Sequence, residues 1–169
     1  MHYHPDTLHP GGAGHIAQVD RPARRDADID TLRPLRALLS PGDYWQMQAH
    51  RRRCEELGGA GFLRLARLIR AKSADAQIIP ADELRPGTVT GAARISFATG
   101  RQRPMTCTLY HWDYPARGRG LPVGSFLGIT LIGMSAGQCA PLISGDGVRG
   151  EVQVLAVHTQ AASGRAHCA

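Results

Sequence analysis

Leu-Pro-Val-Gly-Ser-Phe-Leu-Gly-Ile-Thr-Leu-Ile-Gly-Met-Ser-Ala-Gly-Gln, residues 121 to 138, reads as a short strand running into one compact helix. Ser125 stands where its hydroxyl can cap the first turn by accepting an unpaired backbone N–H. Phe126, Ile129, Leu131 and Ile132 then carry more apolar surface than one narrow stripe, so the helix has to be covered. Gly133 falls where the last turn ends, because glycine takes the left-handed conformation without a Cβ penalty, and Met134 can fold back on the helix. Taken locally, the stretch is a buried core helix, and the segments on either side are its cover.

Downstream, a strand is expected around 138–143, a turn at Ser144-Gly145-Asp146-Gly147 and a last strand over 151–158. Val152, Val154 and Ala156 alternate with Gln153, Leu155 and Val157, so this last strand is apolar on most of both faces and should be central or covered. Upstream, 89–97 and 105–111 alternate in the strand manner, with Met105, Cys107 and Leu109 on one face. Ala98-Thr99-Gly100-Arg101 is the turn that makes them an antiparallel pair. The order is β-β-β-α-β-β, an α+β arrangement in which one helix packs on a sheet.

Ahead of the sheet, Pro80 to Pro86 reads as a linker, and the periodicity changes there from strand-like to helical. A fragment starting near Asp82 is expected to close its own core. Helices are expected over about 43–57 and 62–73, separated by Gly58-Gly59-Ala60-Gly61, with Phe62, Leu65, Ala66 and Ile69 on one face. This is a short N-terminal helical hairpin with a glycine tip. Arg51, Arg52, Arg53, Arg64, Arg67, Arg70 and Lys72 are read as its basic, solvated exterior, and Glu55 and Glu56 lie just before the tip. A further helix is expected from Thr31 as N-cap through the stripe Leu32, Leu35, Leu38 and Leu39, stopped by Ser40-Pro41-Gly42. Residues 1–28 are rich in His, Pro, Gly, Asp and Arg and are expected to be a disordered tail. The resulting division is a tail at 1–28, a hairpin region at 29–79, a sheet domain at 80–164 and a second tail at 165–169.

With 43% hydrophobic and 20% charged residues, the chain has the composition of an ordinary globular protein able to bury a core. The formal net charge is +6, and Lys72 is the only lysine, so the positive charge is almost all arginine. That permits nucleic-acid or acidic-protein partners without demanding them. Cys54, Cys107, Cys139 and Cys168 are widely spaced, and no Cys-x-x-Cys pair occurs, so neither a disulfide framework nor a zinc site is indicated. His2, His4, His9 and His15 match no compact ligand set, and no metal or cofactor is expected. No stretch approaches the ~18 apolar residues of a membrane span and no secretory leader is evident, so a cytoplasmic location is expected.

No Ser-His-Asp set, Cys-His pair or phosphate-cradling glycine loop can be assembled. Ser125 lacks an obvious base, and the turns at Gly100 and at Gly118-Arg119-Gly120 lack a strand-to-helix context. The chain is therefore not expected to be an enzyme. Trp112-Asp113-Tyr114-Pro115 reads either as a partner-facing loop or, more simply, as aromatic cover for one end of the sheet.

The region from Gln77 to Gly164, about half the chain, resembles the C-terminal domain of Gre-type transcription elongation factors. The short regulator-of-nucleoside-diphosphate-kinase (Rnk-like) proteins share that domain and resemble this chain more closely. The resemblance is carried by Val89-Thr90, Thr108-Leu109, the run from Val123 to Gly128, the run from Leu131 to Gly137, and Val154 to Val157 followed by Gln160 and Gly164. The chain departs from the pattern at Trp112, Phe126, Gln138, Thr159 and Ala161. The resemblance implies an FKBP-like antiparallel sheet with one packed helix, placed after a helical hairpin. It also implies binding to RNA polymerase at the rim of the secondary channel, with Ser125, Phe126 and Leu127 as the polymerase-binding positions and Glu55 and Glu56 at the candidate hairpin tip. A transcription modulator without chemistry of its own is the leading expectation. A Gre-type transcript-cleavage factor and an FKBP-like peptide-binding module are the alternatives, and direct DNA binding or RNA contact through the arginine-rich hairpin is a further one.

Overall fold

The computed structural model describes residues 36–158. The expectations for the two tails, for Thr31 to Leu35, and for Gln160 and Gly164 lie outside these residues. Ten elements follow in order: β1 (Leu38–Leu39), α1 (Pro41–Leu57), α2 (Ala60–Asp75), β2 (Gln77–Ile78), β3 (Arg94–Thr99), β4 (Met105–Tyr110), β5 (Gly120–Pro122), α3 (Phe126–Leu131), β6 (Cys139–Ser144) and β7 (Gly147–His158).

The hairpin forms for local reasons. Ser40 caps α1 by accepting the Asp43 N–H at 3.0 Å, and Pro41 follows in the first turn, where its missing N–H costs nothing. The tip is tighter than expected: Gly58 and Gly59 alone make the turn, at φ 65° and 78°, and Ala60 and Gly61 already belong to α2. Two successive positive φ values favour glycine, which has no Cβ to clash. The expected helix over 31–39 is not what Leu38 and Leu39 form. They make β1, which pairs in parallel with β2 at the far end of the hairpin, Leu38 opposite Gln77 and Leu39 opposite Ile78. The reason is tertiary: the Leu38 N–H is taken at 3.0 Å by the carbonyl of Gly133, just beyond α3, which draws the segment into extended form.

The main sheet has the order β5-β4-β3-β7-β6. β3 pairs antiparallel with β4 and β7, and β7 pairs antiparallel with β6. Contrary to an all-antiparallel sheet, β5 runs parallel to β4, because the chain loops back through 111–119 before rejoining the edge. β7 is internal, as its composition requires. A register shift between Ser96 and Phe97 leaves Leu155 opposite no residue of β3 and 41% exposed, so the strand is not apolar-buried on both faces.

One buried cluster serves the whole described chain. Leu39, Met47 and Ile69 from the hairpin side are as fully buried as Ile95, Leu109, Ile129, Leu131 and Ile132 from the sheet and α3. Residues from both sides of the linker thus contribute to the same buried cluster.

Candidate functional site

The cap at the start of α3 is built as the residue types dictate. Ser125 sits in the extended region (φ −115°, ψ 162°), its hydroxyl accepts the Gly128 N–H at 3.0 Å and donates to the Pro122 carbonyl at 2.7 Å. The hydroxyl is fully engaged, so its work here is to turn the chain from β5 into α3. Phe126 and Leu127 are half-buried against the core and leave part of their surface available. These three positions form a continuous stretch on the surface.

The glutamates near the hairpin tip are held within their own helix. Glu55 pairs with Arg51 at 2.7 Å and Glu56 with Arg53 at 3.6 Å, and all are solvent-facing to a degree that makes each pair worth little. Adjacent residues on an α-helix point about 100° apart, so the two carboxylates do not converge. The structure does not bring them to Ser125, Phe126 or Leu127. What surrounds the tip instead is apolar: Leu57, Phe62 and Leu63 are exposed.

The hairpin lies against the sheet domain rather than standing off it. Near its start α2 is held by Arg64, whose guanidinium donates to the Gly145 carbonyl in the β6–β7 turn. Near its end, Lys72 Nζ donates to the carbonyls of Ile129 and Thr130, 2.6 Å each, at the C-terminal end of α3. Lys72 is therefore no part of a basic exterior; it is 4% exposed. Burial pushes its ammonium down to about 7, while the negative end of α3 and its two unpaired carbonyls favour the charged form.

A polar cluster that the sequence did not reveal joins α1 to the sheet. Asp43 Oδ1 accepts the Gly91 N–H at 3.0 Å and lies 3.1 Å from His111 Nε2. His111 Nδ1 lies 3.2 Å from His50 Nε2. One of the two facing imidazole nitrogens donates to the other, so the rings are joined by a single hydrogen bond. Burial, and secondarily the neighbouring His111, push His50 down to about 4, so its ring is neutral at ordinary pH. Trp112 lies on the His50 ring with centroids 4.1 Å apart and planes inclined at 27°, and its indole N–H donates to Gln46.

An Asp-His-His series has the look of a proton relay, but it ends on backbone. His50 Nδ1 faces Gly124, where an added Cβ would sit 2.7 Å away, so no side-chain nucleophile stands at that end. The cluster fastens α1 beside the 124–127 stretch. No spacing rule could have found it, because Asp43, His50 and His111 meet only through the packing of the hairpin on the sheet. Among the described residues no group of three or more His, Cys, Asp or Glu could hold a metal ion. Cys54, Cys107 and Cys139 are free thiols.

No family model and no curated protein matches the sequence. Among solved structures, the chain is similar to one described as prokaryotic transcription elongation factor GreA/GreB from Nitrosomonas europaea, with a TM-score of 0.53 and 20% identity, covering 73% of this chain and 100% of that one. Gfh1 of Thermus aquaticus matches with a TM-score of 0.37 and 15% identity, over 73% of this chain and 99% of that one. For the GreA/GreB structure the likeness is one of fold.

Proposed function

We propose that this protein is a Gre-type transcription factor that binds RNA polymerase at the secondary channel and modulates transcription without chemistry of its own. The observation that supports this best is the GreA/GreB-like fold, which spans the whole of that neighbour and most of this chain. Within this reading the sheet and α3 are the FKBP-like docking domain, close to the Rnk-like proteins. Ser125 holds the docking stretch in shape, and Phe126 and Leu127 meet the polymerase with their open surface. The protein works in the cytoplasm, and the exposed arginines of the hairpin add weak nucleic-acid contacts there.

The hairpin's posture favours modulation over transcript cleavage. Arg64 ties α2 to the β6–β7 turn only about one helical turn from the tip, so roughly 6 Å of helix extends beyond that tie. A cleavage factor needs an arm that reaches the polymerase's magnesium and carboxylates that converge on it, whereas Glu55 and Glu56 diverge. The test is direct binding: immobilised full-length protein should retain core RNA polymerase, and a Gre factor should compete for it. Leu127→Asp should weaken that binding at least tenfold while the circular dichroism spectrum stays that of the parent. Undiminished binding would remove the 125–127 stretch from the interface, and no binding to polymerase at all would end the proposal.

A further inference from the structure

We propose that the loop from Trp112 to Arg119 is a binding platform for single-stranded nucleic acid, with Trp112 and Tyr114 stacking on bases and Arg117 and Arg119 contacting phosphates. Both rings are exposed, Trp112 by 52% and Tyr114 by 63%, yet both have partners within the protein. Trp112 rests one face on His50 and gives its N–H to Gln46. Tyr114 accepts the Gly120 N–H on its hydroxyl at 3.1 Å and packs edge-on against Tyr110 at 5.3 Å. Gly120 has no room for a side chain: a Cβ there would come within 2.8 Å of the Tyr114 ring and 2.9 Å of both Pro115 and Tyr110.

The Trp112 N–H is therefore already used inside the protein, the Tyr114 hydroxyl accepts inside it and keeps its own O–H to donate, and each ring has exposed apolar surface to offer outward. An aromatic that anchors a protein partner usually brings its N–H or O–H to that partner. A ring held from one side with open surface on the other suits a ligand that stacks, and every nucleobase has such a face. The loop also supplies the charge that stacking needs beside it. Arg117 and Arg119 are exposed on either side of Gly118, against one acid, Asp113. Guanidinium groups pair with phosphate in a bidentate manner, and aromatic rings followed in the same loop by arginines supply the two components of a single-strand platform.

This inference does not depend on the polymerase reading, and its test contains no polymerase. Full-length protein is titrated into fluorescein-labelled mixed-sequence RNA, DNA single strands and DNA duplex of about twelve nucleotides, a length within known site sizes. Single strands should bind, more tightly than duplex, with RNA and DNA arms showing which sugar is preferred. Trp112→Ala and Tyr114→Ala should each weaken binding about tenfold or more, and Trp112→Phe should recover much of the loss. Replacing Arg117 and Arg119 by alanine should flatten the dependence on salt. The chain has two tryptophans, so in a Trp45→Phe protein the quenching of emission on binding reports Trp112 alone. Duplex binding as tight as single-strand binding, affinity unchanged in both aromatic variants, or binding without quenching would each overturn the proposal. So would a parent protein that binds none of the three oligonucleotides.

Discussion

Lys72 Nζ lies 2.6 Å from the carbonyl oxygen of Ile129, and through this bond the last turns of α2 and α3 are joined inside the core. The same ammonium reaches Thr130, so the single lysine of the chain satisfies two carbonyls that a helix C-terminus leaves unpaired.

Replacing that lysine by methionine keeps most of the volume and strands both carbonyls. Lys72→Met should destabilise by about 1–3 kcal/mol, read as a lower denaturant midpoint at an unchanged slope. Because the folded-state ammonium is held at about 7 against an ordinary 10.5, the unfolded chain binds the extra proton between those values. Stability should accordingly rise with pH across that window, and the rise should be smaller in Lys72→Met. A variant as stable as the parent would show that the carbonyls find other partners.

His50 sets the acid side. Its pKa falls from 6.5 when unfolded to about 4 when folded, so its contribution is complete above the higher value and drains away as the pH falls toward the lower. The loss should amount to about 3 kcal/mol from this residue. His50→Gln, which can keep a hydrogen bond to His111 but does not titrate, should flatten the unfolding free energy in that range. Parallel curves for parent and variant would mean that His50 titrates normally in the folded protein.

Leu131 is completely buried in α3, facing a core supplied by both the hairpin and the sheet. Leu131→Ala should cost about 2–5 kcal/mol. The shared core has a second consequence: a chain beginning at Asp82 loses Leu39, Met47 and Ile69, and should unfold without the sharp cooperative transition of the full-length protein. Equal cooperativity for the two would assign the hairpin residues a marginal share of the core.

Incubation with a backtracked polymerase complex should release no short 3′ RNA fragments above the intrinsic rate. Rapid release that disappears when Glu55 and Glu56 are both changed to alanine would restore the cleavage-factor reading against the divergent geometry of these two side chains.

Much of the architecture was legible in residues 121–138 and their neighbours, because each feature there is local. A serine cap, a glycine beyond the last turn, alternation in β4 and helical periodicity in α2 act over a few residues, and the chain declares them directly. Nothing local distinguishes Lys72 from the arginines around it, or turns Leu38 and Leu39 from a helical stripe into a strand. Both outcomes follow from where α3 ends, with its free carbonyls taking Lys72 and Gly133 taking the Leu38 N–H. Ser125 could be named in advance as a cap for the same local reason, whereas the polymerase-binding role of Ser125, Phe126 and Leu127 rests on the resemblance to Gre-type factors and on nothing local. The Asp43-His111-His50 series and the seating of Trp112 on His50 could not be read in advance, because those side chains acquire their partners only when the hairpin folds down on the sheet. Local sequence determined the hairpin helices and the order of the strands and helix in the main sheet. Tertiary packing decided which polar groups are buried, and a buried polar group must find a partner wherever in the chain that partner lies.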